Sequence, residues 1–549
     1  MSGQAPSFLD YTPVALSFGT SGLRGLVKDI TDLEAYINVK GGLRYLLAAG
    51  DIPPGRRVIL AGDLRPSTDR LLIAVARAVA DAGCGAENAG KIPTPALVAR
   101  AMAERCAGVM VTGSHIPFDR NGIKINRSVG EVLKSDEAGI TREVERVRAE
   151  EYGRSAGESA FDSKGGLKTR TPLPPVDRAA EEAYVRRYVS AFPGDALRGM
   201  RVVVYQHSAV GRDILPRILG AIGADVVVLG RSDAFIALDT ENVVGGQLDV
   251  LEALAIAAER DGRRPHAIVS TDGDSDRPLV AAVVPVAEAG PAGRRVRFLA
   301  GDLLGIVVAE LLSARAVAVP ISANDAVERR MRERGVLLRR TKIGSPYVIA
   351  AIDAMKGEGR DAPIVGWEAN GGFLTGSDVA LPGGTLAALP TRDSTLPILA
   401  NLFAAAREGT ALTQIWGRLP ARFGQSGLLD EVPVEVTRAL MARLVPPGEV
   451  VEVDFAGAVP PAWNELRTLL ARVFVPALGF DDIVRINVVD GVRVTFKSGD
   501  VAHVRPSGNA PQLRIYANSD SQERADRIVT DGLREPDGIL RTLVSFCAP

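Results

Sequence analysis

The feature that most limits how this chain can fold is a repeated alternation of short apolar runs with longer amphipathic ones. Residues 57–61 (RVILA) read as a strand. Residues 68–82 read as a helix, capped at Ser67 or Thr68 and closed before Gly83. Thr94-Pro95 supplies a cap and a first-turn proline for a second helix, and a strand follows at 108–111. The pattern returns with strands at 201–205, 225–229 and 267–270 and a helix near 211–222. It returns again with helices at 302–313, 324–334 and 345–355 and strands at 316–321 and 363–366. Such patterning is α/β with largely buried strands. The last stretch differs: short strands at 493–496 and 513–517 flank turns, and a polar helix spans 521–533. The expectation is three similar α/β domains followed by a smaller α+β domain. Residues 151–175, rich in Gly, Ser, Lys and Pro, read as a surface linker, and 418–428 lead into the final domain.

Composition narrows the function classes. The 549 residues carry 65 Lys plus Arg against 66 Asp plus Glu, a net charge of −1, which excludes a globally basic nucleic-acid binder. The three cysteines, Cys84, Cys106 and Cys547, show no CxxC spacing and cannot build a disulfide framework, so a reducing compartment is expected. The N-terminus lacks a basic, then apolar, leader, and no apolar run approaches the ~18 residues of a spanning helix. A cytoplasmic protein with no membrane or nucleic-acid partner is the expectation.

Four loops carry chemistry, each at or near the end of an apolar strand, where α/β proteins place ligands. In GVMVTGSHIP (108–117), Gly113 and Pro117 bracket a turn that presents Ser114 beside His115, with Lys124 downstream. Such a serine is a candidate nucleophile or phosphate carrier, or a plain turn cap. The sequence is not GxSxG and offers no separate triad histidine, which weighs against a serine hydrolase. In DGDSDR, Asp272, Asp274 and Asp276 repel one another unless they share a cation, and all-oxygen ligation suits Mg²⁺ or Ca²⁺. An EF-hand is excluded, because its glycine and glutamate positions hold Arg277 and Val283. In GWEANGG (366–372), Glu368 and Asn370 can read sugar hydroxyls, with Trp367 either a wall or core packing. In RPSGN, Arg505, Ser507, Gly508 and Asn509, with Arg514 beyond, form a phosphate cradle or a hairpin turn.

Together these loops resemble the α-D-phosphohexomutase superfamily, which includes phosphomannomutases and phosphoglucomutases. The opening FGTSGLRG (18–25) matches its first loop, GVMVTGSHIP its active-serine signature, DGDSDR its metal loop, and RPSGN its phosphate loop except at Asn509, where Thr is usual. The resemblance covers nearly the whole chain. It implies four domains around one central cleft: a phosphoserine domain (1–165), a metal-binding domain (180–296), a sugar-recognition domain (297–418) and a phosphate-binding domain (425–549). It further implies that Ser114 carries a phosphoryl group and, with Asp272, Asp274 and Asp276, holds Mg²⁺. Arg24 and Lys124 would lie near the transferred group and Arg277 beside the metal, and Lys124 or His115 would assist proton transfer. Glu368, Asn370 and Ser345 would face the sugar. Arg505, Ser507, Gly508, Asn509 and Arg514 would hold the phosphate that is not transferred. The implied reaction interconverts hexose 6-phosphate and hexose 1-phosphate through a 1,6-bisphosphate, which also serves as activator, in a monomer or homodimer. Gly372 and Ser345 stand where the family often has histidine, so a roomier sugar site is expected, open to mannose and glucose phosphates. The resemblance is strongest to bacterial phosphomannomutases, so mannose is the first expectation; phosphoglucomutase, phosphoglucosamine mutase, a sugar phosphatase and a non-catalytic sugar-phosphate sensor are the alternatives.

Overall fold

The computed structural model describes residues 8–14, 16–19, 22–241, 243, 245–290, 293–507 and 511–546, with backbone alone at 17–19. The chain divides into two compact units, Met1–Val317 with Gly344–Trp416, and Ala318–Ile343 with Gly417–Pro549.

The first unit contains a mixed sheet in the order Ser17–Gly19, Gly22–Leu26, Arg120–Arg127, Ala107–Val111, Arg57–Gly62, Gly85–Gly90. The last three strands are parallel, while Arg120–Arg127 runs antiparallel to both its neighbours. Every residue of Ala107–Val111 is buried, as expected of a strand covered on both faces. Helix Thr68–Asp81 packs Leu71, Leu72, Val75 and Val79 into the same core. A second sheet orders Val296–Phe298, Pro278–Val283, Ala267–Thr271, Arg201–His207 and Asp225–Arg231. Its central Ala267–Thr271 and Pro278–Val283 form a fully buried hairpin whose turn is the DGDSDR loop. In the third segment, Ile364–Trp367, Phe373–Thr375 and Leu389–Asp393 pair antiparallel.

In the second unit a wholly antiparallel sheet orders Phe423–Leu429, Leu513–Ser519, Val501–Pro506, Val492–Phe496, Ile483–Asn487 and Glu452–Asp454. Helices Val434–Leu444, Pro461–Ala471 and Gln522–Leu533 contribute Leu440, Leu466, Ile528 and their neighbours to its core. The fold is a multidomain α/β architecture. Among the described residues, no helix is long and apolar enough to cross a membrane.

The 151–175 stretch is mostly exposed and is pinned at two points: Phe161 and Leu167 are buried in the first core and bridge to each other, and Leu167 N–H donates to Asp32 at 3.1 Å. One expectation is corrected: Thr94 is not a cap. Pro93 precedes the helix, Thr94 is its first residue, and its hydroxyl points out of the helix to Asp274.

Candidate active site

Strand Ala107–Val111 delivers the serine loop. Ser114 is fully buried and adopts φ +56°, a conformation that costs an L-residue ~1–2 kcal/mol and persists only where the surroundings enforce it. The enforcing group is Asp63, which follows strand Arg57–Gly62. Its carboxylate accepts from the Thr112 hydroxyl at 2.8 Å, Gly113 N–H at 3.2 Å, Thr68 hydroxyl at 2.6 Å and Arg65 Nη1 at 2.6 Å. Arg65 in turn donates to the carbonyls of Ser114, Ile116 and Arg120 and lies 3.9 Å above the Phe235 ring. The sequence reading passed over Asp63 and Arg65, although GDLR directly follows a strand and has the same placement as the other loops.

The acidic turn meets this loop directly. Ser114 Oγ donates to Asp272 Oδ2 at 2.5 Å, and a Cβ on Gly273 would lie 2.6 Å from the Ser114 carbonyl. Only glycine permits that approach. Asp272, Asp274 and Asp276 are all fully buried, and one oxygen of each falls within 4.8 Å of the others. Among the described residues, Asp274 Oδ1 and Asp276 Oδ1 are buried without a hydrogen-bond partner, while their Oδ2 atoms are engaged. Lys124 Nζ donates to Asp274 at 2.6 Å and to Asp276 at 3.0 Å, and Thr94 donates to Asp274 at 2.6 Å. Burial, then Asp274 and Asp276, push the Asp272 carboxyl well above the usual carboxylate range. For Asp276 burial acts upward, but Arg392, Lys124 and Arg277 outweigh it and hold the carboxyl low. Three hard oxygen donors with two unpartnered buried oxygens fit a small divalent cation.

Cations surround the triad. Burial opposes the charge of Lys124, yet Asp274 and Asp276 more than offset it and raise its pKa. Arg277 Nη1 sits 2.9 Å from His115 Nδ1. Since guanidinium only donates, Nδ1 is the acceptor and Nε2 carries the proton. Burial, then Arg277 and Arg24, drive the His115 pKa down to about 2. Arg24 feels burial and the same crowd of cations, Arg277 and Arg392, and falls to about 10.

Glu368 joins the triad through a residue the sequence reading did not single out. Arg392 donates to Asp276 Oδ2 from Nε at 3.0 Å and Nη2 at 2.8 Å, and from Nη1 to Glu368 Oε2 at 2.9 Å and Ser345 Oγ at 3.3 Å. The extra room expected at Gly372 and Ser345 is therefore occupied by the Arg392 side chain. Asn370 turns its Oδ1 onto Gly372 N–H at 3.0 Å, closing its own loop. Trp367 is core, not a wall: it is fully buried, donates to the Asp302 carbonyl at 3.0 Å and stacks on Phe373.

In the second unit, Arg505 and Arg514 lie directly opposite each other on paired strands. Among the described residues, each has a buried Nε without a hydrogen-bond partner, and Arg505 pairs with Asp490 at 3.4 Å. Ser507 N–H bonds the Gln512 carbonyl at 2.9 Å. Gly508 and Asn509 lie outside the described residues, as do Thr20 and Ser21 of the first loop and Cys547.

Residues 15–151, 300–423 and 449–533 match the family described as phosphoglucomutase/phosphomannomutase: alpha/beta/alpha domain I, alpha/beta/alpha domain III and the C-terminal domain, respectively. A phosphomannomutase of Sinorhizobium fredii is 37% identical over 524 residues, covering 94% of this chain and 98% of the relative. The chain belongs to the phosphoglucomutase/phosphomannomutase family. A phosphomannomutase of Salmonella muenchen is 36% identical over 516 residues, 94% of each chain, and a phosphoglucosamine mutase of Thermobifida fusca is 28% identical, covering 93% of this chain and 96% of the relative. A solved family member from Burkholderia thailandensis superposes with a TM-score of 0.66 at 18% identity, covering 96% of this chain and 97% of the other, which speaks for the fold. The protein is thus a mutase, an isomerase acting on a phosphosugar, with a buried carboxylate group able to hold a metal.

Proposed function

We propose that this family member interconverts hexose 6-phosphates and hexose 1-phosphates, mannose and glucose both, through a phosphoryl group carried on Ser114. The observation that carries the reading is the Ser114 hydroxyl, held at a positive φ within 2.5 Å of Asp272 in a carboxylate turn where Lys124 pairs with Asp274 and Arg277 pairs with the adjacent His115. In the first half-reaction the Ser114 Oγ–P bond breaks, phosphorus bonds the oxygen of a free sugar hydroxyl, and that hydroxyl's proton passes to Ser114 Oγ, giving a 1,6-bisphosphate. In the second, the bond from the opposite phosphate to its sugar oxygen breaks, phosphorus bonds Ser114 Oγ, and the Oγ proton passes to the sugar oxygen. Asp272, Asp274, Asp276 and Ser114 would hold Mg²⁺, which when bound offsets charge on the transferring group.

The chain's own cations do related work. Lys124 stays protonated and donates. His115 presents Nε2–H rather than a free lone pair, so it too acts as a donor to phosphoryl oxygens. Phosphoryl transfer depends mainly on positioning and charge stabilisation, which such donors supply. Glu368 would take the sugar hydroxyls, with Ser345 and Asn370 shaping its loop. Arg505, Ser507, Gly508, Asn509 and Arg514 would hold the other phosphate. Like charges directly opposite on paired strands repel, and an anion would relieve the Arg505–Arg514 pair.

The test is a panel of hexose 1-phosphates with catalytic 1,6-bisphosphate, alongside intact-mass analysis. A phosphoryl adduct on Ser114, comparable turnover of mannose and glucose phosphates, poor turnover of N-acetylated sugars and loss of turnover in Ser114→Ala are expected. Normal turnover in Ser114→Ala, or free phosphate released at the turnover rate, would refute the relay. Strict preference for glucosamine phosphate would overturn the assignment of sugar.

A further inference from the structure

We infer that Arg392 is a positioning residue that locks the acidic turn and the Glu368 loop into one electrostatic unit, so that a cation on the first is felt at the second. The inference rests on the reading of Glu368 as the sugar-binding carboxylate. Arg392 follows no glycine-rich loop; it lies near the end of strand Leu389–Asp393, between the two carboxylates. Its side chain is 3% exposed, and those of Asp276 and Glu368 are 1% and 7% exposed. Water therefore screens little of this three-charge array.

The geometry is that of a fork. Nε and Nη2 grip a single oxygen of Asp276, Oδ2, which Lys124 also reaches, and leave Oδ1 without a hydrogen bond among the described residues, 3.8 Å from Arg277 Nε. Nη1 grips Glu368 Oε2. The fork is itself braced. Ser345 gives its hydroxyl proton to Glu131 Oε2 at 2.6 Å and so accepts from Arg392. The adjacent Thr391 donates to the other oxygen of Glu131 at 2.7 Å. Gly372 makes room for the stem, since a Cβ there would lie 2.7 Å from both Cγ and Cδ of Arg392. Lysine has one donor head and cannot reproduce a planar two-sided grip.

The consequence concerns how charge is shared. With Glu368 ionised, the guanidinium is divided between two carboxylates. Neutralising Glu368 turns more of its charge toward Asp276 and any cation beside it, so cation binding weakens. By linkage, the same coupling operates in reverse, from cation to sugar loop.

The experiment is calorimetric titration of Mn²⁺ into the full-length protein without sugar phosphate. It compares wild type, Glu368→Gln, Arg392→Met, Arg392→Lys, and Glu368→Gln in each Arg392 background. Glu368→Gln is expected to weaken Mn²⁺ ~5–10-fold in the wild-type background, in the range of typical coupling, and less than about twofold where Arg392 is Met. Arg392→Lys should shrink the effect while its melting temperature stays near wild type. The Arg392→Met/Glu368→Gln protein removes both charges together and keeps the comparison in a folded protein. An equal effect of Glu368→Gln in all backgrounds, or none in wild type, overturns the inference. Turnover is measured separately. A wild type that binds Mn²⁺ but interconverts no hexose phosphate defeats the functional reading, while the coupling is still decided by the titrations.

Discussion

Removing the Asp63 carboxylate should unpin the serine loop at a stability cost that can be worked from its contacts. Asp63 and Arg65 are a salt bridge with both side chains at 0% exposure. Asp63→Ala leaves Arg65 buried without its counter-ion, and deprives the Thr112, Thr68 and Gly113 donors of their acceptor. Breaking a buried pair from one side costs ~3–5 kcal/mol. At ~2 °C per kcal/mol for a large unit, the expected fall in melting temperature is about 6–10 °C. A surface pair provides the contrast. Arg44–Glu150 is 33% and 46% exposed, so Glu150→Gln should cost ~0–1 kcal/mol and move the melt by less than about 2 °C. The assay is differential scanning calorimetry, paired with phosphoryl transfer at a temperature well below both melts. Transfer should fall in Asp63→Ala because Thr112 and Gly113 directly precede Ser114. Arg65→Lys should keep the charge pair and much of the stability, yet still lose transfer, since one ammonium cannot hold the three loop carbonyls at once. If Asp63→Ala melts with wild type and transfers at the wild-type rate, the carboxylate does not pin the loop.

Three further outcomes are expected. EDTA should abolish turnover and Mg²⁺ restore it, and Asp274→Asn should raise the Mg²⁺ needed for half activation; EDTA-resistant turnover in metal-free protein contradicts the triad's role. Arg505→Ala should weaken both 1-phosphate and 6-phosphate substrates by about one to two decades in KM, the ~1.5–3 kcal/mol of a charge-assisted contact; an effect on one isomer alone would show that the clamp is not shared. Burial, then Arg493, Arg505 and Arg340 acting against its bond to the Asp490 carbonyl, lower the His503 pKa to about 3. Below pH ~6.5 the unfolded chain takes a proton that the folded chain refuses, so stability falls as pH drops toward 3, by ~2–3 kcal/mol at two units below the free value. Urea midpoints of His503→Gln should therefore decline less between pH 7 and 4.5 than those of wild type, and parallel slopes would sink the assignment.

The parts of the site that could be read in the sequence are those built from consecutive residues. The DGDSDR turn joins the two strands of one hairpin, so its carboxylates converge whatever the rest of the chain does. The serine signature is likewise local, because the residues after strand Ala107–Val111 must turn within a few positions. Trp367 stayed open for the opposite reason: a tryptophan beside a glycine-rich turn reads equally as wall or core, and its full burial, with the close approach of Gly305, decides for core. Thr94 looked like a cap because threonine before proline commonly is one. Its actual partner, Asp274, is 180 positions away.

Arg392 is the clearest case of what local reading misses. It sits in an ordinary strand end, Thr391-Arg392-Asp393, with no turn chemistry around it. Its partners are Asp276, 116 positions back, and Glu368, 24 positions back. Yet indirect signals were present. Three buried carboxylates carry three negative charges, and Lys124 and Arg277, the two cations legible beside them, offset only two. A second glycine at 372, beyond the one that the turn at Gly371 requires for its φ of +84°, had no conformational reason to be glycine. Its reason is the Arg392 stem that crosses it. The lack of a side chain at one position and the unbalanced charge at another are therefore parts of one arrangement, in which a single guanidinium fills the space and completes the charge.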